Sequence, residues 1–313
     1  MTCVFTSARC LEHRAPAGYP ERPERLDGIL VALQNRGIEI VEATADSRSE
    51  VSVEAVHDPE YVGRFERAVE RGDGLLDSAD NPLSPNSWKA AWGAVHATVM
   101  AARATATGEA ENAFSAVRPP GHHAERGVAM GFCFLNNAAV AADYLLRHHG
   151  LERVAIFDFD VHHGNGTQHI FEHRKDVFYA STHQHPFYPG TGQREERGLG
   201  QGEGATLNVP LPMGTGDEEF LTAVDNEILP ALAKFQPEVL IASAGFDIWQ
   251  DDPLGGFQVS LNGIAELGKR LRAGAQEICD GRLFSVLEGG YDLPSLGDLA
   301  FSYLTGDTRV ASS

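Results

Sequence analysis

Basic residues are scarce in this chain. Lysine and arginine number 25 against 44 aspartates and glutamates, for a net charge of −19. That balance excludes a broad electrostatic footprint for nucleic acid or an anionic membrane; it serves solubility and can attract cationic small molecules. Cysteine is sparse as well: Cys3, Cys10, Cys133 and Cys279 form no C-x-x-C pair and suggest no disulfide framework. A reducing, cytoplasmic location is expected from that usage. Long apolar runs are missing. No stretch reaches the roughly 20 apolar residues of a membrane span, and the opening MTCVFTSARCLEHRAP lacks the apolar core of a signal peptide. Internal repeats and low-complexity segments are absent too. Neither a nucleic-acid nor a membrane partner is expected.

What remains is a chain of 313 residues with ordinary globular composition, long enough to bury a large core. Pro23 opens a helical pattern with Leu26, Ile29, Leu30 and Leu33 on one stripe and Gly37 as a stop. Asp73–Pro85 reads as a loop. Trp88, Trp92, Val95 and Val99 recur at helical spacing, as a buried face rather than an aromatic binding stripe. A further helix is expected from about Phe134 to His149. Val154–Phe159, Val177–Ser181, Val239–Ser243 and Leu283–Leu287 are short, almost wholly apolar and rich in β-branched or aromatic residues, as interior parallel strands are. Helical patterns at Glu218–Ile228 and Leu261–Ile278, the latter with Ser260 as N-cap, fall between them. This alternation predicts an α/β fold: one open, mostly parallel sheet with helices on both faces, in a single domain spanning 1–313. Ligands of such sheets bind beyond the carboxyl ends of the strands, so the polar residues there are the ones to watch.

Those residues are unusual. Asp158 and Asp160 straddle the end of VAIFDF and His162 follows; continued extension would put all three on one side. Two carboxylates and an imidazole do not share a buried face cheaply without protons or a cation. Oxygen and nitrogen donors of this kind suit zinc and also admit Fe(II), Co(II) or Mn(II). Asp-x-His alone could equally cap a strand, but Asp247 follows VLIASAGF in the same way. The adjacent His122 and His123 are approached through Pro119, Pro120 and Gly121, and Gly131 with Asn136 and Asn137 suggests a tightly turned wall beside them. Tyr291 follows Gly289 and Gly290, a loop open to close approach.

With YPERPERL at Tyr19–Leu26, RPPGHHA, GFCFLNN, DFDVHHGNGTQ, FYPGTG, AGFD and EGGY in that order, the chain resembles the histone deacetylase family, and within it the class II-like bacterial amidohydrolases and acetylpolyamine amidohydrolases. The resemblance implies an arginase/deacetylase-like fold and a zinc-dependent hydrolysis of an acyl-lysine amide to acetate and a free amine. It implies Asp160, His162 and Asp247 as zinc ligands with an open fourth position, His123 as base and then acid, and His122 as its companion held by Asp158. Asn165 would orient His123; some members of the family carry aspartate there. Tyr291 would donate to the oxyanion. Phe132 and Tyr188 match the aromatic channel walls, with Gly131 and Gly290 beside the substrate. Leu254 stands at a rim position that bears glutamate in polyamine-selective relatives, which favours acyl-lysine in a peptide or protein over a small acetylated amine. A structural potassium site would draw on Asp158 and Ser181, with main-chain oxygens of Asp160, His162 and Thr182. The other readings are an acetylpolyamine deacetylase, an arginase-like two-manganese hydrolase, which would need more carboxylate ligands, and a non-catalytic binding protein, which would not need the complete set.

Overall fold

The apolar segments expected as strands form the middle of one parallel sheet. The computed structural model describes residues 2–309. Its strands are β1 (Thr2–Thr6), β2 (Glu39–Glu42), β3 (Asn112–Ser115), β4 (Val154–Asp158), β5 (Val177–Gln184), β6 (Thr206–Leu211), β7 (Val239–Ala244) and β8 (Leu283–Leu287). They lie in the order β2-β1-β3-β8-β7-β4-β5-β6, and every pairing is parallel. All residues of β3, β4, β5, β7 and β8 are buried. Both faces are therefore covered, which is why these strands carry no polar alternation. Helix 87–107 packs on β1 and β3, helix 137–148 on β4, and helix 261–279 on β7 and β8.

Strand order matters for function. β3, β8, β7 and β4 are neighbours although the loops that follow them are far apart in sequence. Adjacent strands lie about 4.8 Å apart, so the loops after Ser115, Leu287, Ala244 and Asp158 meet above one stretch of sheet. Asp158 pairs in register with Ser181 of β5 on one side and Ser243 of β7 on the other.

The helix expected from about Phe134 begins at Asn137, because the side chain of Asn136 caps it by accepting from the Ala139 N–H at 3.0 Å. Ser260 caps helix 261–279 in the same way, by accepting from Gly263. The expected helix 218–228 is α-helical over Asp217–Ala223, widens to a π turn over Val224–Ile228 and resumes over Leu229–Phe235. Pro230, which has no N–H to give to an α ladder, sits just past the widened turn. The continued extension that would set Asp158, Asp160 and His162 on one side does not occur. β4 ends at Asp158, and the chain curls so that the Asp160 N–H donates to Asp158 Oδ1 at 3.2 Å and the His162 N–H to Asp160 Oδ1 at 2.9 Å. Asp158 thereby faces a different partner from Asp160 and His162. The short strands β1, β2, β3 and β6, and the helices 48–56, 59–71 and 296–305, have no counterpart in the sequence reading.

Candidate active site

The loop after β4 brings Asp160 and His162 together, and the loop after β7 adds Asp247. Both carboxylates address one ring atom: His162 Nδ1 lies 3.0 Å from Asp160 Oδ1 and 3.2 Å from Asp247 Oδ2. Donor atoms of the three residues all lie within 4.8 Å of one another. Main-chain N–H groups fix the carboxylates from behind, Gly289 donating to Asp160 Oδ2 at 2.8 Å and Val161 to Asp247 Oδ1 at 3.0 Å. Glycine is required at the closest approach: a Cβ on Gly289 would stand 2.1 Å from Asp247 Oδ2, and one on Gly245 2.2 Å from Asp160 Oδ2.

Electrostatics point to a cation here. Burial alone would depress His162, yet Asp160 and Asp247 hold it up to about 10. Burial, with Asp160 beside it, pushes Asp247 up to about 7. One imidazole nitrogen carries at most one proton and cannot donate fully to two carboxylates. Oxygen, nitrogen and oxygen converging on a point buried except toward the cavity are a donor set that a divalent metal satisfies better than a proton does.

His122 and His123 follow β3, their rings 4.0 Å apart. His122 Nδ1 lies 3.0 Å from Asp158 Oδ2, and His123 Nδ1 lies 2.7 Å from Asn165 Oδ1. The two rings are driven apart in basicity. Burial disfavours the charged form of His122, but Asp160 and Asp158 overcome it and hold the ring up to about 10. His123 falls well below the ordinary imidazole value because burial acts in the same direction as the neighbouring His122 and His162. At neutral pH the pair is one cationic and one neutral ring, the second suited to accept a proton. Gly131 has φ +57, and a Cβ on it would lie 2.3 Å from His123 Cδ2.

Tyr291 follows β8. Its ring packs edge-on to Phe132, with centroids 5.9 Å apart, and the guanidinium carbon of Arg25 stands 4.6 Å above it. Burial pushes the phenol well above its usual range, so it stays protonated and is a donor. Between these groups opens a cavity of about 280 Å³. His123, His162 and Tyr291 lie on its wall with Phe132, Tyr188 and Leu254.

Gly290 is the expected substrate neighbour that does not line this cavity. It turns at φ +115, and a Cβ there would press on Leu296 and Phe246. Its carbonyl accepts from Arg25 Nε at 2.5 Å. Ser181 Oγ lies 2.9 Å from His183 Nδ1, and Thr182 Oγ1 is buried with no partner among the described residues.

Several residues of the site escaped the sequence reading. Phe187 stacks on His162, with centroids 5.2 Å apart at 16°. Asp80 reaches the rim from the loop 73–85 and accepts from the Gly131 N–H at 2.9 Å and from the Tyr188 hydroxyl at 3.1 Å. Asp252 accepts from the Tyr291 and Leu254 N–H groups at 2.6 and 2.9 Å. Glu288, fully buried, accepts from the N–H groups of Gly121 and His122 at 2.7 and 3.1 Å, and burial raises it to about 7. Its place beside Gly289 in EGGYD is the one signal that could have drawn notice. Beneath the tyrosine loop, Arg25 donates to the Glu288 carbonyl at 2.6 Å, and Glu21 joins Arg25 to the buried Arg118.

The chain is similar to known proteins over most of its length. The histone deacetylase domain model matches residues 19–306. A probable deacetylase of Archaeoglobus fulgidus is 42% identical over 297 residues, 94% of this chain and 82% of that one. The histone deacetylase-like amidohydrolase of Pseudomonas aeruginosa is 38% identical over 305 residues, 93% of this chain and 78% of that one. Among solved structures, an acetylpolyamine aminohydrolase from Burkholderia pseudomallei superposes with a TM-score of 0.88 at 32% identity, over 98% of each chain. Matched by the family model over most of its length and by relatives at 38–42% identity, this chain belongs to the histone deacetylase family of amidohydrolases.

Proposed function

We propose that the protein is a zinc-dependent deacylase that hydrolyses the amide of an acyl-lysine side chain to a carboxylate and a free amine. The observation that carries this reading is the convergence of Asp160 and Asp247 on one nitrogen of His162, at a cavity that His123 and Tyr291 also line. Asp160, His162 and Asp247 would hold the zinc. Fe(II) or Co(II) fits the same donors. Bound there, a divalent metal lowers the pKa of water and polarises a carbonyl.

The remaining work falls to side chains. His123, neutral and facing the cavity, takes the proton of the attacking water and returns it to the leaving amine. His122, cationic and held by Asp158, adds positive charge next to it. Tyr291 donates its hydroxyl hydrogen to the carbonyl oxygen as negative charge develops. Asn165 orients His123. Phe132 and Tyr188 flank the methylene stem of the substrate and keep water from it. A potassium ion would be held by Asp158 and Ser181 with main-chain oxygens of Asp160, His162 and Thr182. Support for it is the register of Asp158 against Ser181 and the buried, unpartnered hydroxyl of Thr182.

Acetylpolyamine is the second reading, favoured by the net charge of −19 and by the similarity to an acetylpolyamine aminohydrolase. Two rim features weigh against it. Leu254 offers no carboxylate, and Asp80 is already engaged by Gly131 and Tyr188. The deciding experiment compares kcat/KM of the zinc-loaded protein on acetyl-lysine peptides, N-acetylputrescine and N-acetylspermidine, with His123→Ala as control. A tenfold or greater preference for peptides is expected; the reverse preference makes the protein a polyamine deacetylase. Activity surviving in His123→Ala would remove the base.

A further inference from the structure

His123 leans on an amide, and an amide has two different ends. Asn165 Oδ1 lies 2.7 Å from His123 Nδ1. Rotated by half a turn, the same side chain would present Nδ2, a donor, at that place. The two orientations have opposite consequences for the ring. Facing an oxygen, Nδ1 carries the hydrogen and Nε2 is free to accept a proton. Facing an amide nitrogen, Nδ1 must be bare, the hydrogen moves to Nε2, and the ring cannot serve as a base. In the serine protease triad, replacing the supporting aspartate with asparagine produces this wrong tautomer and lowers kcat about 10⁴-fold.

Glu125 decides which end faces the ring. Asn165 Nδ2 donates to Glu125 Oε1 at 2.5 Å. An ionised carboxylate only accepts, so it selects the nitrogen and leaves Oδ1 for His123. The other neighbours of Nδ2 are Met130 Sδ at 3.3 Å and the His123 carbonyl at 3.5 Å, a soft acceptor and a distant one. Glu125 is itself held in place. Its Oε1 lies 2.8 Å from Nδ1 of His169, four residues after Asn165 on helix 165–171, so one face of that helix brings both partners to the same oxygen. Its N–H donates to the Val128 carbonyl at 3.0 Å, and its carbonyl lies 2.8 Å from Nδ1 of the buried His57.

We propose that Glu125 is a positioning residue: it locks the Asn165 amide in the one orientation that gives His123 the tautomer of a general base, and His169 steadies the lock. The proposal rests on the reading of His123 as the base. Its test uses the full-length, metal-loaded chain with ¹⁵N-labelled histidine, the His123 signals being assigned by their loss in His123→Ala. Glu125→Leu should move His123 from the Nδ1–H toward the Nε2–H form and lower kcat by about tenfold or more, with a ceiling near the 10⁴ of full tautomer reversal, while KM stays within about twofold. Adding Asn165→Asp to Glu125→Leu should restore most of the lost kcat, because a carboxylate has no donor end to present. Asn165→Asp alone, which sets two carboxylates against each other, should fall below the double variant. A purely structural loss at Glu125 would not be repaired by that second change. Should Glu125→Leu fail to fold, Glu125→Ala carries the same test. Loss of activity with the Nδ1–H form intact, no recovery in the double variant, or wild-type kcat in Glu125→Leu each overturns the lock while an inactive His123→Ala leaves the base standing. An active His123→Ala removes the base and the proposal with it.

Discussion

Replacing Tyr291 with phenylalanine deletes one hydroxyl and leaves its surroundings in place. The ring keeps Phe132 at its edge and the Arg25 guanidinium over its face, and the main-chain N–H keeps Asp252. The hydroxyl has no hydrogen-bond partner among the described residues, so no protein group is left unsatisfied when it goes. Folding stability should therefore change by no more than about 0.5 kcal/mol. The loss belongs to the reaction. Removing one donor to a developing oxyanion costs roughly 10²–10³ in kcat, about 2.7–4 kcal/mol, and KM should hardly move because the contact forms mainly in the transition state. Burial holds the phenol well above its ordinary range, so the hydroxyl donates throughout neutral and mildly alkaline conditions. The phenylalanine variant should accordingly keep the shape of the wild-type pH profile at lower amplitude. Steady-state kinetics of the metal-loaded protein on an acetyl-lysine peptide, with thermal unfolding alongside, decides the matter. A kcat loss below about fivefold, or a loss carried by KM, would refute the role of Tyr291 as oxyanion donor.

Other perturbations test other parts. Gly289→Ala sets a methyl 2.1 Å from Asp247 Oδ2 and 2.6 Å from Asp160 Oδ2 without altering a ligand; metal content by mass spectrometry should drop well below one equivalent, and a full equivalent would contradict the placing of the metal. Leu254→Glu puts a carboxylate at the cavity rim, where a charge pair is worth about 1 kcal/mol or more; the kcat/KM ratio of N-acetylspermidine to acetyl-lysine peptide should rise by about fivefold or more, and an unchanged ratio would deny Leu254 a part in selection. Burial opposes ionisation of Glu21, but Arg118 holds its carboxyl down at about 2, below the ordinary 4.5. A depressed folded pKa contributes stability that is present above the unfolded value and lost as pH falls through the folded one. At about 1.4 kcal/mol per unit this comes to about 3 kcal/mol. Glu21→Gln should cost about 3–5 kcal/mol in urea unfolding at neutral pH, since two buried guanidinium groups lose their counter-ion, and the gap to wild type should narrow on acidification. A gap independent of pH would show that the pair is not what Glu21 contributes.

The sheet centre and the first ring of the site were legible in the sequence for a common reason: each is written in consecutive residues. β4, β7, β8 and the first half of β5 are buried and read as almost wholly apolar runs, whereas β2 is a half-buried edge of four residues with a glutamate at each end and gives no such run. His122–His123, Asp160 with His162, Asp247 and Tyr291 stand in motifs at strand ends. The supporting groups are not written that way. Glu288 acts on Gly121 and His122 from 167 and 166 residues away, and Arg118 meets Glu21 across 97. A lone glutamate in a sequence is normally a surface residue, and only the strand order that sets β8 beside β3 makes this one a buried acceptor. The turn that follows β4 was not legible for a related reason. Period two holds only while a strand lasts; β4 ends at Asp158, and the carboxylates of Asp158 and Asp160 accept the N–H groups that turn the chain out of it.

Charge balance ties the site together. Asp158, Asp160, Asp247 and Glu288 are four fully buried carboxylates within one contiguous set of contacts, and His122 is the cation that two of them hold. Buried charge of one sign must be neutralised by protons or by counter-ions. Protons answer part of that demand: burial raises Asp247 and Glu288 to about 7, and Asp160 with Asp247 holds His162 up to about 10. A divalent ion on Asp160, His162 and Asp247 removes the need for the proton on His162 and the pressure on Asp247, because ligands bind metals deprotonated. It leaves Asp158 facing His122, the cation that it holds. That surplus of buried carboxylates keeps His122 protonated, while His123, lowered by burial and by the neighbouring His122, stays neutral at the wall of the cavity.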